Sequence, residues 1–307
     1  MTPTTLMAQA RRMLFDETVP YKWPTAELVD YYNFSLDEIS RDTDYFIDSY
    51  TPAVEHITLV AGTSDYAYDS RILQITGAKV SGSASFLTQI SKAAQDLESP
   101  TWRYKLIITG TDISFVDGGA SADSIVSTTT DFLEEGIIDD DYIRVDGATE
   151  TANSGIFLLD TAAANLLTMT TAATLTTEAA GDQVVIKVIN VGTPSRFITD
   201  YRDGYITLYP APDEAGVLTI DAVRSQLTAL TSGTISSATI PIRTEYHLQI
   251  IDGILSRAFL KSGPSTYNVQ KAGFHKAEFA ILKDRIKKDR IKLKSSGKTS
   301  SPHAGCM

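Results

Sequence analysis

The sequence has little of what marks a secreted, disulfide-bonded or membrane-spanning protein. Its only cysteine, Cys306, excludes an intramolecular disulfide framework. The longest apolar runs, such as residues 184–186, are far too short to cross a bilayer. The first residues include Arg11 and Arg12 but have no uninterrupted apolar core and no small-residue cleavage site. We therefore expect a cytosolic origin and no membrane partner.

Motifs for catalysis and for nucleotide or metal binding are also missing. Residues 296–299 imitate the end of a Walker A loop, but the required first glycine would fall at Lys292. The aspartates at 139–141 and Asp146 do not have EF-hand spacing, because Ile143 stands where a carboxylate or amide ligand is needed. The four histidines are scattered without a metal-binding pattern. We predict no catalytic residues, no metal, no cofactor and no enzymatic activity.

Acidic residues dominate the chain, which has 38 Asp and Glu against 27 Lys and Arg and a formal net charge of −11. Residues 283–298 reverse this balance with eight basic and two acidic residues, a local charge of +6 that leaves −17 for the rest. An acidic body repels nucleic acid, whereas a short basic segment attracts a polyanion or an acidic neighbour. The charges predict a protein that lies near DNA without binding it specifically.

Both ends of the chain have helical periodicity. Residues 1–15, 24–48, 245–260 and 266–293 place apolar side chains at helical spacing. In the second of these segments, five apolar side chains between Leu28 and Phe46 form one stripe, which is typical of core packing. Tyr31 and Phe34 lie off that stripe. We therefore predict that Tyr31 and Phe34 contact a neighbouring chain.

The last predicted helix contains a tandem repeat, Lys-Asp-Arg-Ile-Lys, at residues 283–287 and 288–292. Five residues turn an α-helix by about 500°, so Ile286 and Ile291 lie about 140° apart and do not share one face. Two interpretations remain open. The repeat is either a solvated, salt-bridged helix end or an arm that docks on an acidic neighbour or on DNA phosphates. Its candidate interface residues are Lys283, Arg285, Lys287, Lys288, Arg290, Lys292 and Lys294.

The middle of the chain has the alternation of β-strands. A helix is predicted over residues 85–97, and a hairpin is predicted from Tyr205–Tyr209 and residues 217–223. Residues 107–190 are rich in Thr, Ala, Gly and Asp and consist of short β runs separated by glycine turns, which indicates a small sandwich or barrel. The predicted fold class is α+β: a long-helix bundle with a small β-sheet, plus an inserted all-β sandwich or barrel-like domain. The predicted domains are a discontinuous helical domain with β hairpins, 1–106 and 191–307, and the insert, 107–190.

Four stretches outside the insert resemble the head-to-tail adaptor, or connector, proteins of tailed bacteriophages. Residues 20–28 are similar to the family's P-x-x-W-[ST]-x-x-E-L, and residues 96–103 are similar to its L-x-x-x-P-x-W-R step before a strand. Residues 240–259 resemble its IP-I-P-x-E-Y-H…RAF helix, and residues 268–279 its N-x-x-x-A-x-x-H-x-x-x-F helix. The chain departs from these patterns in two places: Pro24 replaces a capping Ser or Thr, and Arg243 replaces a common proline.

The resemblance implies a structural protein that forms a ring, usually a dodecamer, beneath the portal. Such a ring joins the capsid to the tail, contacts the portal protein and a tail or nozzle protein, and surrounds the channel through which DNA passes. The implied location is the head–tail interface of the virion, after assembly in the host cytoplasm.

The insert is not covered by this resemblance and supports a rival hypothesis, a virion receptor-binding or carbohydrate-binding protein. Its few aromatic residues, Phe115, Phe132, Tyr142 and Phe157, alternate as core residues do, which disfavours a glycan-binding platform. A cell-wall hydrolase is a third hypothesis, for which the sequence contains no motif.

Overall fold

A computed structural model describes residues 1–171, 173–263 and 265–296, with side chains described as far as residue 292. Over these ranges the chain forms seven α-helices, which are α1 (Pro3–Leu14), α2 (Thr25–Thr43), α3 (Pro52–Glu55), α4 (Lys92–Glu98), α5 (Phe132–Glu135), α6 (Ile250–Ala258) and α7 (Val269–Ser296). The same ranges contain two 3₁₀ turns, Thr151–Asn153 and Thr244–Tyr246.

The described residues also form fifteen strands. They are β1 (Phe46–Asp48), β2 (His56–Leu59), β3 (Asp65–Ala67), β4 (Ile72–Val80), β5 (Thr88–Gln89), β6 (Tyr104–Gly110), β7 (Ile113–Val116), β8 (Ser124–Ser127), β9 (Tyr142–Asp146), β10 (Gly155–Ala163), β11 (Leu166–Met169), β12 (Val184–Ile189), β13 (Arg196–Ile198), β14 (Tyr205–Tyr209) and β15 (Gly216–Arg224). They pair into three sheets, one of seven strands and two of four.

The prediction of a long-helix bundle with a small sheet is wrong. The described chain is a mixed α and β protein that is richer in strands than in helices. Three of its helices, α3, α4 and α5, have seven residues or fewer. The helix predicted over 85–97 shrinks to α4, because Thr88 and Gln89 pair with β13 instead. The α+β class fits only in part.

The four longer helices pack around one apolar core. α6 contacts α1, α2 and α7, and its buried residues include Ile250, Ile254 and Leu255. Trp23, which precedes α2, is 1 % exposed and donates from Nε1 to the carbonyl of Ala258 at 3.0 Å. This hydrogen bond satisfies the polar atom of a buried indole, as burial requires.

A glycine sets how closely α6 approaches its neighbours. A Cβ atom at Gly253 would lie 2.5 Å from the Oγ of Ser35 on α2 and 2.9 Å from the ring of Phe279 on α7. Both distances are shorter than carbon atoms tolerate, so only glycine permits this packing. Gly273, on the exposed side of α7, has no atom within 4 Å of the corresponding position.

The predicted sandwich or barrel is replaced by one antiparallel sheet of seven strands, in the order β6-β12-β9-β10-β11-β8-β7. β10 pairs with β9 through its first residues and with β11 from Leu159 onward, with a bulge between Leu159 and Thr161. Because β10 has a partner on each side, the short strands that the sequence pattern predicts are joined into one sheet. One core cluster, with Phe115, Ile143 and Ile186 among its buried members, packs within this segment.

The predicted hairpin of β14 and β15 is also wrong. β14 pairs with β13 and β3, whereas β15 pairs with β1 and β2. Both strands alternate as a hairpin would, but pairing depends on distant partners that the local pattern does not contain.

The chain divides into two compact units. One comprises residues 1–48, 71–74 and those from 222 onward, and it holds α1, α2, α6 and α7. The other comprises residues 49–70 and 75–221 and holds the seven-stranded sheet. The sequence-derived boundaries, 1–106 with 191–307 and 107–190, stay a prediction.

Deletion of the predicted insert tests those boundaries. β6 and β12 pair directly, with Tyr104 opposite Ile189, so the ends of the segment lie close together. Replacing residues 105–191 by a short Gly/Ser link should therefore leave the terminal helices folded. Far-UV circular dichroism and thermal unfolding of the full chain provide the reference. A shortened chain that lost its helical signal and aggregated would contradict the predicted partition.

The role of Gly253 is tested by Gly253→Ala with Gly273→Ala as the matched control. The added methyl at 253 should lower the free energy of unfolding by about 1–3 kcal/mol, because it overpacks the contact of three helices. The same change at 273 should be neutral or stabilise by up to about 1 kcal/mol through helix propensity. Chemical denaturation measures both, and equal effects at the two positions would show that the close approach is unimportant.

Candidate interface on the terminal helices

The inner face of α7 belongs to the core. Ala272, Phe279, Leu282 and Ile286 are buried against the other helices. Ile286 is fully buried, whereas Ile291 is 65 % exposed, so the two isoleucines of the tandem repeat have different roles. The first half of the repeat is therefore part of the folded unit and not a free arm.

Glu38 of α2 links α2 to both α6 and α7. It accepts from Arg257 of α6 at 2.6 Å and from Lys283 of α7 at 2.6 Å. Lys283 also donates to Asp42 at 2.5 Å. Burial raises the pKa of Glu38, but the hydrogen bonds from Lys283 and Arg257 outweigh it, so the net shift is downward. For Lys283, burial lowers the pKa, and the hydrogen bonds to Asp42 and Glu38 reverse this to a net rise.

Further contacts hold the second half of the repeat. Arg290 donates to the carbonyl of Thr43, at the end of α2, at 2.6 Å. The hydroxyl of Tyr246 donates to Asp289 at 2.8 Å, and the guanidinium of Arg285 lies 5.6 Å from the centre of the Tyr246 ring. Lys292 lies 3.8 Å from Asp289. The contacts of Asp289 and Arg290 with other elements keep α7 along the unit as far as Arg290, whereas the Lys292–Asp289 contact lies within α7.

The outer face of α7 is exposed and carries both charges and apolar groups. Asp284, Lys288 and Ile291 lie along it at spacings of four and three residues, which one face of a helix requires. Phe274 and Ile281, about three turns and one turn before Asp284, are each about three-fifths exposed. Lys287 is exposed as well. The side chain of Lys294, and Cys306, lie outside the described residues.

The outer face of α2 has a matching pattern. Phe34 is 54 % exposed, Asp37 follows three residues later and Arg41 four after that. Burial raises the pKa of Asp37, and Arg41 offsets this in part. Tyr31 lies differently: its ring packs against the core and its hydroxyl donates to Glu27 at 2.5 Å. Burial, the hydrogen bond to Glu27 and nearby negative charge raise the pKa of Tyr31.

The described part of the chain shows few features of a metal site or of a membrane-spanning protein. No group of three or more His, Cys, Asp or Glu residues within it is placed to hold a metal ion. His275 pairs with Asp252 at 2.8 Å and stacks on Phe259, which is a packing arrangement. Among the described helices, none is both long enough and apolar enough to span a membrane.

A family model described as SU10 adaptor protein matches residues 1–130 and, separately, residues 122–302. The chain belongs to the SU10 adaptor protein family. A search of curated proteins finds no match. Membership makes the chain a structural adaptor of a bacteriophage and a component of the virion, and it agrees with the resemblance found in the sequence at that level.

In this SU10 adaptor, the structure separates the predicted interface residues into two groups. Lys283 and Arg290 bind α2 of their own chain, whereas Phe34, Lys287 and Lys288 project outward. That these residues contact other chains stays a prediction. The outer faces also include Asp37, Arg41 and Asp284, which the sequence argument did not select. Their spacing of three and four residues along the faces that contain Phe34 and Lys288 is the signal that could have found them.

Removing the Lys283 side chain tests the helix-linking role of Glu38. Lys283→Ala should lower the free energy of unfolding by about 1–3 kcal/mol, since Glu38 and Asp42 lose a charged donor. Lys287→Ala removes an exposed lysine one turn away and should have almost no effect. Thermal or denaturant unfolding measures both variants.

The loss of stability caused by Lys283→Ala should also depend on pH. The folded pKa of Glu38 lies below its usual value of 4.5, so its contribution is complete above that pH and disappears as the pH falls through the lower folded value. The difference between wild type and Lys283→Ala should therefore shrink on acidification below about 4.5. A difference that stayed constant down to pH 3 would exclude the ion pair as its source.

Proposed function

We propose that this SU10 adaptor is a non-enzymatic head–tail connector that forms a ring beneath the portal. The ring joins the capsid to the tail and surrounds the DNA channel. The observation that carries the proposal is the family match, whose two segments together extend from residue 1 to residue 302. The four sequence stretches similar to head-to-tail adaptors support it independently.

The partners in this proposal are further copies of the chain, in a dodecamer by family resemblance, together with the portal protein and a tail or nozzle protein. Assembly takes place in the host cytoplasm, and the mature location is the head–tail interface. Residues 107–190 are an inserted β domain of the connector.

Charge is consistent with passage of DNA through such a ring. Each phosphate contact with Lys or Arg adds a salt-dependent attraction, and several at once would hold the DNA in place. The chain has a net charge of −11, and some of its basic residues form contacts within the chain, as Lys283 and Arg290 do. Acidic residues that line a channel would let DNA slide without specific binding.

The rival function, glycan or receptor binding by the insert, has less support. Phe115 and Phe132 are no more than 1 % exposed, and Phe157 packs against the same core. The rings of Phe115 and Phe132 are therefore not available for stacking on a sugar, and that of Phe157 is partly buried. The positions instead stabilise the seven-stranded sheet.

Electron microscopy of the purified chain tests the proposal. Negative-stain images of the chain alone, and mixed with the portal protein of the same phage, should show rings coaxial with the portal. Native mass measurement then gives the number of copies. The portal protein alone is the control for its own ring. A chain that stays monomeric both alone and with portal would contradict the connector function.

A further inference from the structure

Two helix faces on the same compact unit reach solvent and have the same pattern of residues, with Asp37 half-buried on one of them. Within the α2 outer face, residues 34–41 present Phe34, Asp37 and Arg41, and within the α7 outer face, residues 284–291 present Asp284, Lys288 and Ile291. Each of these segments is eight residues long and extends over about 10 Å of helix. Each holds one large exposed apolar side chain, one acid and one base.

None of the four charged groups on these faces forms an ion pair within the described chain. Three other acids of α2 do: Glu27 pairs with Lys261, and Glu38 and Asp42 pair with Lys283. On α7, Asp289 has Arg285 and Lys292 as neighbours. Asp37 and Arg41 attract one another along α2 without closing an ion pair. The charges of the outer faces are therefore available to a partner.

The order of the residues makes the two faces complementary when the helices run antiparallel. Aligning Phe34 with Ile291 then places Asp37 opposite Lys288 and Arg41 opposite Asp284, because both faces repeat at three and four residues. A parallel alignment of Phe34 with Ile281 would instead place Asp37 opposite Asp284 and Arg41 opposite Lys288. Like charges would meet at both positions, which disfavours the parallel contact.

We propose that the α7 outer face of one copy packs antiparallel on the α2 outer face of a second copy. The inference rests on the proposed ring and names the contact that closes it. Phe34 and Ile291 form the apolar centre, and the pairs Asp37–Lys288 and Arg41–Asp284 flank it on one side.

Overall charge identifies α2, and not a second α7, as the partner surface. α7 carries nine basic and three acidic residues, whereas α2 carries one basic and five acidic residues. Two α7 helices could align Asp284 with Lys288 of the other copy, but their excess positive charge would repel. The α2–α7 contact brings opposite excess charges together.

The symmetry of the contact also suits a ring. Different faces of the two copies meet, so a bound pair still presents one free α2 face, on one copy, and one free α7 face, on the other. Such head-to-tail contacts propagate until rotation closes a ring, whereas a contact between identical faces stops at a dimer.

Charge reversal provides the first test, on full-length chain mixed with portal. Lys288→Glu and Asp37→Lys should each weaken ring formation about tenfold or more, and the combination of both should recover most of it. Lys276→Glu is the matched control, since Lys276 is exposed on α7 but lies off the outer face. Circular dichroism and thermal unfolding establish that each variant is folded before assembly is measured by native mass and electron microscopy.

Cysteine cross-linking provides the second test and does not depend on charge. In a Cys306→Ser background, Phe34→Cys chains mixed with Ile291→Cys chains should be linked by a short bismaleimide, and neither variant alone should be. Ile281→Cys mixed with Ile291→Cys should not be linked, because those positions meet only in an antiparallel α7–α7 pair.

The outcomes separate the two proposals. Wild-type chains that form no ring with portal contradict the connector function itself. Rings that form equally well with Lys288→Glu, Lys276→Glu and Asp37→Lys, or cross-links that appear for Ile281 with Ile291 and not for Phe34 with Ile291, leave the connector function intact and overturn the α2–α7 contact.

Discussion

Glu38 accepts hydrogen bonds from Arg257 on α6 and from Lys283 on α7, and the arrangement of the terminal helices depends on this shared carboxylate. A half-buried acid with two cationic donors loses solvation but gains charged hydrogen bonds in return. Gly253 permits the same three helices to approach closely. Because the inner faces of α2 and α7 are fixed in this way, their outer faces are left to solvent or to a partner.

Local physics explains why the terminal helices could be predicted. The segment 1–15 became α1, which begins after the capping Thr2, and the last helix contains the predicted segment from Val269 onward. The prediction for α2 extended too far, because residues after Asp44 pair with β15 and Asp44 itself has left-handed backbone angles. That Ile286 and Ile291 lie on different faces of α7 also follows from helix geometry alone.

Strand pairing could not be predicted, because it depends on residues far apart in sequence. β15 pairs with β2 and β1, which precede it by more than 150 residues. The alternation of apolar and polar residues in β15 does not indicate either partner. The candidate interface could be predicted only in part, because it too depends on residues far apart in sequence. Phe34 and Lys288 were visible as off-core residues, but whether a lysine is free or bound to Glu38 depends on tertiary packing.

The linear order of the seven-stranded sheet gives it an edge at β6. An edge strand presents backbone donors and acceptors to any other chain, which is a route to strand addition and aggregation. β6 begins beside an exposed lysine, Lys105, and ends at Gly110. A charged side chain and a glycine both weaken pairing with a foreign strand. These two features protect the edge at β6 against strand addition by another chain.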